Sequence, residues 1–155
     1  MKAIVLTPPS SNFDVPKGYK KIFLAGSIEM GKAEDWQQKV ITSVSDFEKV
    51  IYNPRRENWD STWAQTIDNP KFKEQVDWEL EGLEESDLII MNFTPETMSP
   101  ISLMEFGLYA RSGKMVVYCP EGFWRKGNVD VVCKRYNIPQ VEKFEELITL
   151  IKYTH

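Results

Sequence analysis

Between Lys20 and Tyr153 the chain alternates short apolar runs with segments of helical period, and no other feature restricts its fold as strongly. KKIFLAG (20–26), KVIYN (49–53), LIIMNF (88–93), KMVVYC (114–119) and IPQVE (138–142) read as strands bounded by Gly, Pro, Asn or Ser. Between them, Trp36, Val40, Ile41 and Val44 mark one amphipathic helix, and Val76, Leu80 and Leu83 mark another over 72–86. Further helices are read at 98–112, about 129–137 and 143–153. Strands alternating with helices indicate an α/β domain, with a roughly five-stranded, mostly parallel sheet flanked by helices. MKAIVL (1–6) has the composition of a further short strand, and TPPSSNFDVPKGY (7–19), with its three prolines, reads as an irregular lead-in. No repeat or linker divides the 155 residues, so a single domain over 1–155 is expected.

In such sheets ligands bind beyond the carboxyl ends of the strands, at a topological switch point. The Gly26-Ser27 turn, the loop after Asn53, residues 92–99 and the loop at Pro120 all follow strands and should rim one crevice. A strand, a small-residue turn and a helix can present backbone N–H groups to an anion or a polar sugar. Without a GxGxxG pattern the turn is no dinucleotide fingerprint, and the plain alternative is a tight connection. The segment after Asn53 is long and rich in Arg, Trp and Asp, as functional loops often are. In it Arg55, Arg56, Trp59 and Trp63 offer cationic donors and flat aromatic faces. Stacking a base on an indole contributes roughly 1–3 kcal/mol, whereas the alternative is a surface flap in which the tryptophans cover core.

The run MSPISLMEFGLYARS (98–112) carries one carboxylate, Glu105, inside an otherwise apolar helix announced by Ser99 as N-cap and Pro100 as first helical residue. Helical spacing groups Glu105 with Ile101, Met104, Leu108 and Tyr109 on a face expected to pack inward. An ionised carboxylate there must either meet a partner or line a pocket, because desolvating it unpaired is costly. Glu79 sits at the margin of the stripe formed by Val76, Leu80 and Leu83, and local pattern alone reads it as solvent-facing.

Composition narrows the chemistry. The two cysteines, Cys119 and Cys133, lack CxxC spacing, and the single histidine is His155. A zinc site or a Cys–His pair therefore has almost no material, and neither metal nor cofactor is expected. The net charge is −4, and the basic residues are spread out, which argues against a groove for a nucleic-acid polymer. No segment approaches the roughly 18 apolar residues of a membrane span, and the N-terminus lacks a signal-peptide core. A cytoplasmic protein acting on a small molecule is the expectation.

Three stretches, IFLAGSI (22–28), DWELEGLEESD (77–87) and SPISLMEFGLYA (99–110), with a weaker match at Asn128, carry a resemblance. In order and spacing they resemble the nucleoside 2-deoxyribosyltransferase family and its relatives that hydrolyse nucleoside 5′-monophosphates at the N-glycosidic bond. The resemblance implies a flavodoxin-like sheet and a double displacement on a nucleoside or nucleotide. It places Glu105 as nucleophile, forming a glycosyl ester, and Glu79 as the acid that handles a proton on the base. It assigns a sugar- or phosphate-contacting position to Ser99 and a sugar contact to Asn128, the last, and with it Asp130, serving a neighbouring subunit in a homo-oligomer; Gly26, Ser27 and Asn53, at the strand ends that rim the crevice, join them as candidate substrate contacts. Ser99 stands where the transferases carry Asp and the monophosphate hydrolases carry a phosphate-contacting Ser. Glu29 stands where those hydrolases carry Arg, so its charge would repel a phosphate if it pointed inward, while Arg55 or Arg56 could supply the missing positive charge. Nucleoside and nucleotide thus both remain open, as do transfer and hydrolysis. The rival from another class is a non-catalytic nucleotide-binding or sensor protein of the same fold.

Overall fold

The computed structural model describes residues 2–10, 15–29, 33–56 and 62–155. Its strands are β1 (Ile4–Leu6), β2 (Lys20–Gly26), β3 (Lys49–Tyr52), β4 (Leu88–Asn92), β5 (Met115–Tyr118) and β6 (Gln140–Val141). Its helices are α1 (Trp36–Val44), α2 (Pro70–Glu85), α3 (Pro100–Tyr109), α4 (Lys126–Arg135) and α5 (Phe144–Tyr153). The six strands form one sheet in the order β1-β3-β2-β4-β5-β6, and every pairing is parallel. Counted from β2, this is the 2-1-3-4-5 order of flavodoxin-like sheets with one strand added at the edge. That added strand is β1, whose Leu6 carbonyl accepts from Asn53 N–H at 2.8 Å and ties the lead-in to the end of β3.

Side chains alternate across the sheet and build two cores. Phe23, Ala25, Tyr52, Ile89, Met91 and Val117 face one layer, against Trp78 and Leu83 of α2, Phe106 and Tyr109 of α3, and Val129 and Cys133 of α4. Ile22, Leu24, Ile51, Ile90 and Val116 face the other, against Trp36, Val40 and Val44 of α1 and Leu147 and Ile151 of α5. Full burial of each large apolar side chain contributes about 1.5–3 kcal/mol.

Two helices lie rotated from the faces their spacing suggests. On α2 the buried residues are Gln75, Trp78, Gly82 and Leu83 rather than Val76 and Leu80. Trp78 decides this, because its ring packs near Phe23 and Tyr52 while its Nε1–H donates to the Ser10 carbonyl at 2.9 Å. Gly82 permits the close approach, since a Cβ there would lie 2.8 Å from the Phe23 ring. The helix also begins earlier than its apolar pattern, at Pro70, with the Asn69 side chain accepting from Lys71 N–H at 3.2 Å.

On α3 the buried face is Ser102, Glu105, Phe106 and Tyr109, whereas Ile101, Met104 and Leu108 are 55%, 51% and 58% exposed. The helix is apolar nearly all round, so spacing cannot choose its inner face. Phe106 chooses it by packing edge-on to Phe93, and Tyr109 fixes it by donating its hydroxyl to Glu84 at 2.8 Å.

The chain leaves β2 through α1 to β3 on one side, then crosses through α2 to β4 on the other, so the switch point lies between β2 and β4. There Gly26 has φ 138°, and a Cβ on it would fall 2.1 Å from the Asn92 carbonyl oxygen. Gly26→Ala is therefore expected to lower the unfolding free energy by roughly 2–4 kcal/mol. Urea denaturation checks it, and an unchanged midpoint would show that the strands can separate here without cost.

Candidate active site

At the carboxyl end of β2 the ladder continues one residue further, with Ser27 N–H donating to the Asn92 carbonyl at 3.0 Å. The Ser27 carbonyl accepts from Trp36 Nε1–H at 3.0 Å, which fixes the turn against α1. The Ser27 side chain, fully buried, accepts from Thr94 N–H at 3.0 Å and lies 2.6 Å from Ser99 Oγ and 3.0 Å from Thr97 Oγ1. Thr97 and Ser99 are themselves 2.7 Å apart. Three hydroxyls from the ends of β2 and β4 thus form one cluster at the switch point.

Ser99 occupies the N-cap position of α3 but does not cap with its side chain. Its hydroxyl is committed to Ser27 and Thr97, and its backbone is left-handed at φ 48°. A carboxylate from the other side of the crevice meets the start of the helix instead: Glu29 Oε1 accepts from Met98 N–H at 3.0 Å and Ser99 N–H at 2.5 Å.

The two carboxylates singled out by sequence lie on neighbouring helices of the same layer. The rotation of α2 places Glu79 among its inner residues, half-buried, and Glu105 on α3 is 7% exposed. Burial pushes Glu79 well above the usual carboxylate range, opposed by the Gln75 amide, which donates to Glu79 Oε1 at 2.8 Å and favours its ionised form. Burial also pushes Glu105 up, and the Glu79 charge pushes it further. A charge on Glu79 makes Glu105 harder to ionise, so the state with both carboxylates charged is disfavoured. The orientation of the Gln75 amide is fixed from behind, because its Nε2 also donates to the Pro54 carbonyl at 3.2 Å. Turning the amide over would set two oxygens against each other there.

The remaining sequence candidates are distributed around this centre. Asn53 is buried and accepts from Arg55 N–H at 3.1 Å, shaping the turn out of β3. Arg55 points toward the lead-in of α1, donating to the carbonyls of Ala33 and Glu34 at 3.0 Å each and to Gln37 at 3.3 Å, beside Asp35. Arg56 is nearly covered, 3.7 Å from Glu74 and 5.3 Å above the Trp63 ring. Trp59 lies outside the described residues. Asn128 is exposed on the first turn of α4, and Asp130 is bound by Lys126 and Gln140.

Sequence reading passed over Gln75, Thr94 and Thr97. The first had a usable signal, since it precedes Glu79 by four residues on one helix. Grooves between α1 and α5 and between the outer sides of α2 and α3 are lined by neither Glu79 nor Glu105. Among the described residues no cluster of His, Cys, Asp and Glu could hold a metal ion, and no helix is long and apolar enough to cross a membrane.

The sequence profile described as nucleoside 2-deoxyribosyltransferase like matches residues 19–123, which hold β2 to β5 and both carboxylates. The chain belongs to this family. Among solved structures, a conserved protein from Enterococcus faecalis V583 is similar over 86% of this chain and 98% of that one, with a TM-score of 0.59 and 14% identity. That likeness concerns the fold alone. Comparison with curated proteins gives no match. Membership of the nucleoside 2-deoxyribosyltransferase-like family bears out the resemblance read from the three stretches and places the chain among glycosyl-transfer or hydrolysis proteins.

The raised carboxyl of Glu105 has a stability consequence with a definite sign. From about pH 4.5 to about 8 the folded chain keeps a proton that the unfolded chain has lost, so stability falls as pH rises through that window. Glu105→Gln removes the part of the slope that Glu105 supplies, while the raised Glu79 carboxyl keeps its own. In parallel denaturant titrations it is expected to be more stabilising at pH 8 than at pH 4, by a few kcal/mol, about 1.4 kcal/mol for each pH unit by which folding raises the carboxyl. An equal effect at both pH values would mean that Glu105 carries no desolvated charge.

Proposed function

We propose that this chain breaks the N-glycosidic bond of a nucleoside or nucleotide through Glu105 and passes the sugar to a second base or to water. The observation that carries the reading is the Glu79–Glu105 pair, half-buried Glu79 on α2 and buried Glu105 on α3, both with raised carboxyls and both within the family-matched region. Retention at an anomeric carbon asks for two carboxyls in unlike protonation states, and a pair sharing one proton supplies them.

In the first step a Glu105 carboxylate oxygen bonds to the anomeric carbon as the carbon–nitrogen bond breaks. The bonding electrons leave with the base nitrogen, which takes the proton from Glu79. In the second step water or an incoming base attacks the same carbon, the ester oxygen returns to Glu105, and Glu79 recovers a proton. Gln75 favours the ionised form of Glu79, and a charge on Glu79 in turn favours the protonated form of Glu105. Positive charge developing at the anomeric carbon favours ionised Glu105 and shifts the proton to Glu79, where the departing base needs it.

The same reading extends to a homo-oligomer. Met98, just before α3, and Ile101, Met104 and Leu108 on its outward side are each more than half exposed, next to Trp124. The stripe starts at the crevice, because Met98 N–H binds Glu29 and its carbonyl accepts from Trp124 Nε1–H at 2.9 Å. A second copy of the chain covering this face would reach the lip of the site, and the exposed Asn128 is placed to serve its neighbour in turn. Light scattering is expected to show a multimer that Met104→Asp reduces to monomers. A monomeric wild type overturns the extension.

For the chemistry, incubation with nucleosides and 5′-monophosphates, with and without a free acceptor base, followed by chromatography, is expected to show base release. Glu105→Ala should reduce it on the order of 10³-fold or more. Mass spectrometry of quenched wild type should find a sugar ester on the peptide containing Glu105. Wild-type rates in Glu105→Ala sink the nucleophile assignment. Nucleoside binding without release by wild type identifies a non-catalytic binding protein instead.

A further inference from the structure

The crevice holds a third carboxylate whose position bears on which sugars can enter. Glu29 lies two residues beyond Ser27 and accepts from the N–H groups of Met98 and Ser99. Backbone amides at the start of a helix, reinforced by its dipole, favour a negatively charged oxygen. Here the chain fills that position itself. Both ends of the contact are non-glycine residues held at positive φ, Glu29 and Ser99 each at 48°. The link therefore joins two backbone turns in conformations that L residues seldom adopt.

On this basis, and resting on the N-glycoside reading above, we propose that Glu29 is a specificity-determining residue that restricts the site to nucleosides and turns away their 5′-monophosphates. A phosphate entering beside Ser27, Thr97 and Ser99 would meet the Glu29 carboxylate next to Ser99. Among the described residues, the arginines that follow β3 meet other groups: Arg55 the lead-in of α1, Arg56 Glu74 and the face of Trp63. What the crevice offers at this point is hydroxyls and a carboxylate oxygen, which suit the hydroxyl groups of an unphosphorylated sugar.

The test compares kcat/KM for one nucleoside and its 5′-monophosphate in wild type, Glu29→Gln and Glu29→Ala, with calorimetric binding of both ligands. Wild type is expected to favour the nucleoside by at least about tenfold, the factor that about 1.4 kcal/mol of repulsion produces. Glu29→Gln keeps an oxygen for the two amides and removes only the charge. It should narrow the ratio severalfold through KM for the monophosphate, and Glu29→Ala, which also vacates the amides, should narrow it further. Should Glu29→Ala fail to fold, Glu29→Gln alone decides. A wild type that uses the monophosphate as well as the nucleoside, or a ratio indifferent to Glu29→Gln, overturns the assignment while leaving the glycosidic chemistry standing. Neither release nor binding of either ligand by wild type overturns the N-glycoside reading and this inference with it.

Discussion

The approach of β2 and β4 at their carboxyl ends governs the rest of this molecule. Gly26 and Asn92 lie so close that no side chain fits between them, and Ser27 then continues the ladder onto the Asn92 carbonyl. Because the chain departs to opposite sides from these two strands, their ends diverge immediately beyond the contact. The hydroxyl cluster, the Glu29 contact and the start of α3 all occupy the opening so formed. A wider spacing at Gly26 would separate Ser27 from Thr94 and Ser99 and dissolve the cluster.

The carboxylate pair depends on a second close approach. Gly82 lets α2 settle against the Phe23 ring, and that settling turns Glu79 inward toward α3. Burying two acidic groups opposes folding, and the sheet's two apolar layers supply the surplus that tolerates them. Among the described residues Gln75 donates to Glu79, while Arg55 lies beside Asp35 and Arg56 beside Glu74. An ion-paired structural carboxylate would look different: its acidity would be strengthened rather than weakened by its surroundings.

The strand and helix series was legible because alternation of apolar runs with helical period depends only on local pattern. The extra strand β1 was readable as composition, but its pairing with β3 depends on a distant edge. The inner faces of α2 and α3 were not legible in the same way. On α3 every face is apolar, and on α2 a single tryptophan and a glycine outweigh the leucine spacing. Glu105 was recognised as buried through an argument that named the wrong neighbours, since Ile101, Met104 and Leu108 point outward. Glu79 looked solvated until the tertiary contact of Gly82 with Phe23 turned it inward. For Arg55 and Arg56, charge and loop position suggested ligand contact, whereas their bonds run to α1's lead-in, Glu74 and Trp63, a choice made by long-range packing.

With Glu29 meeting the start of α3, the Ser99 hydroxyl is released from capping and joins Ser27 and Thr97. Thr97 donates its own proton to the Thr94 carbonyl at 2.9 Å, so in its contacts with Ser27 and Ser99 it is the acceptor. The protons of the cluster therefore run from the serines through Thr97 toward that carbonyl. The floor of the crevice is thus a polarised chain of oxygens, fed by the Thr94 N–H at Ser27 and ending on the Thr94 carbonyl, whose direction is set by one residue's backbone.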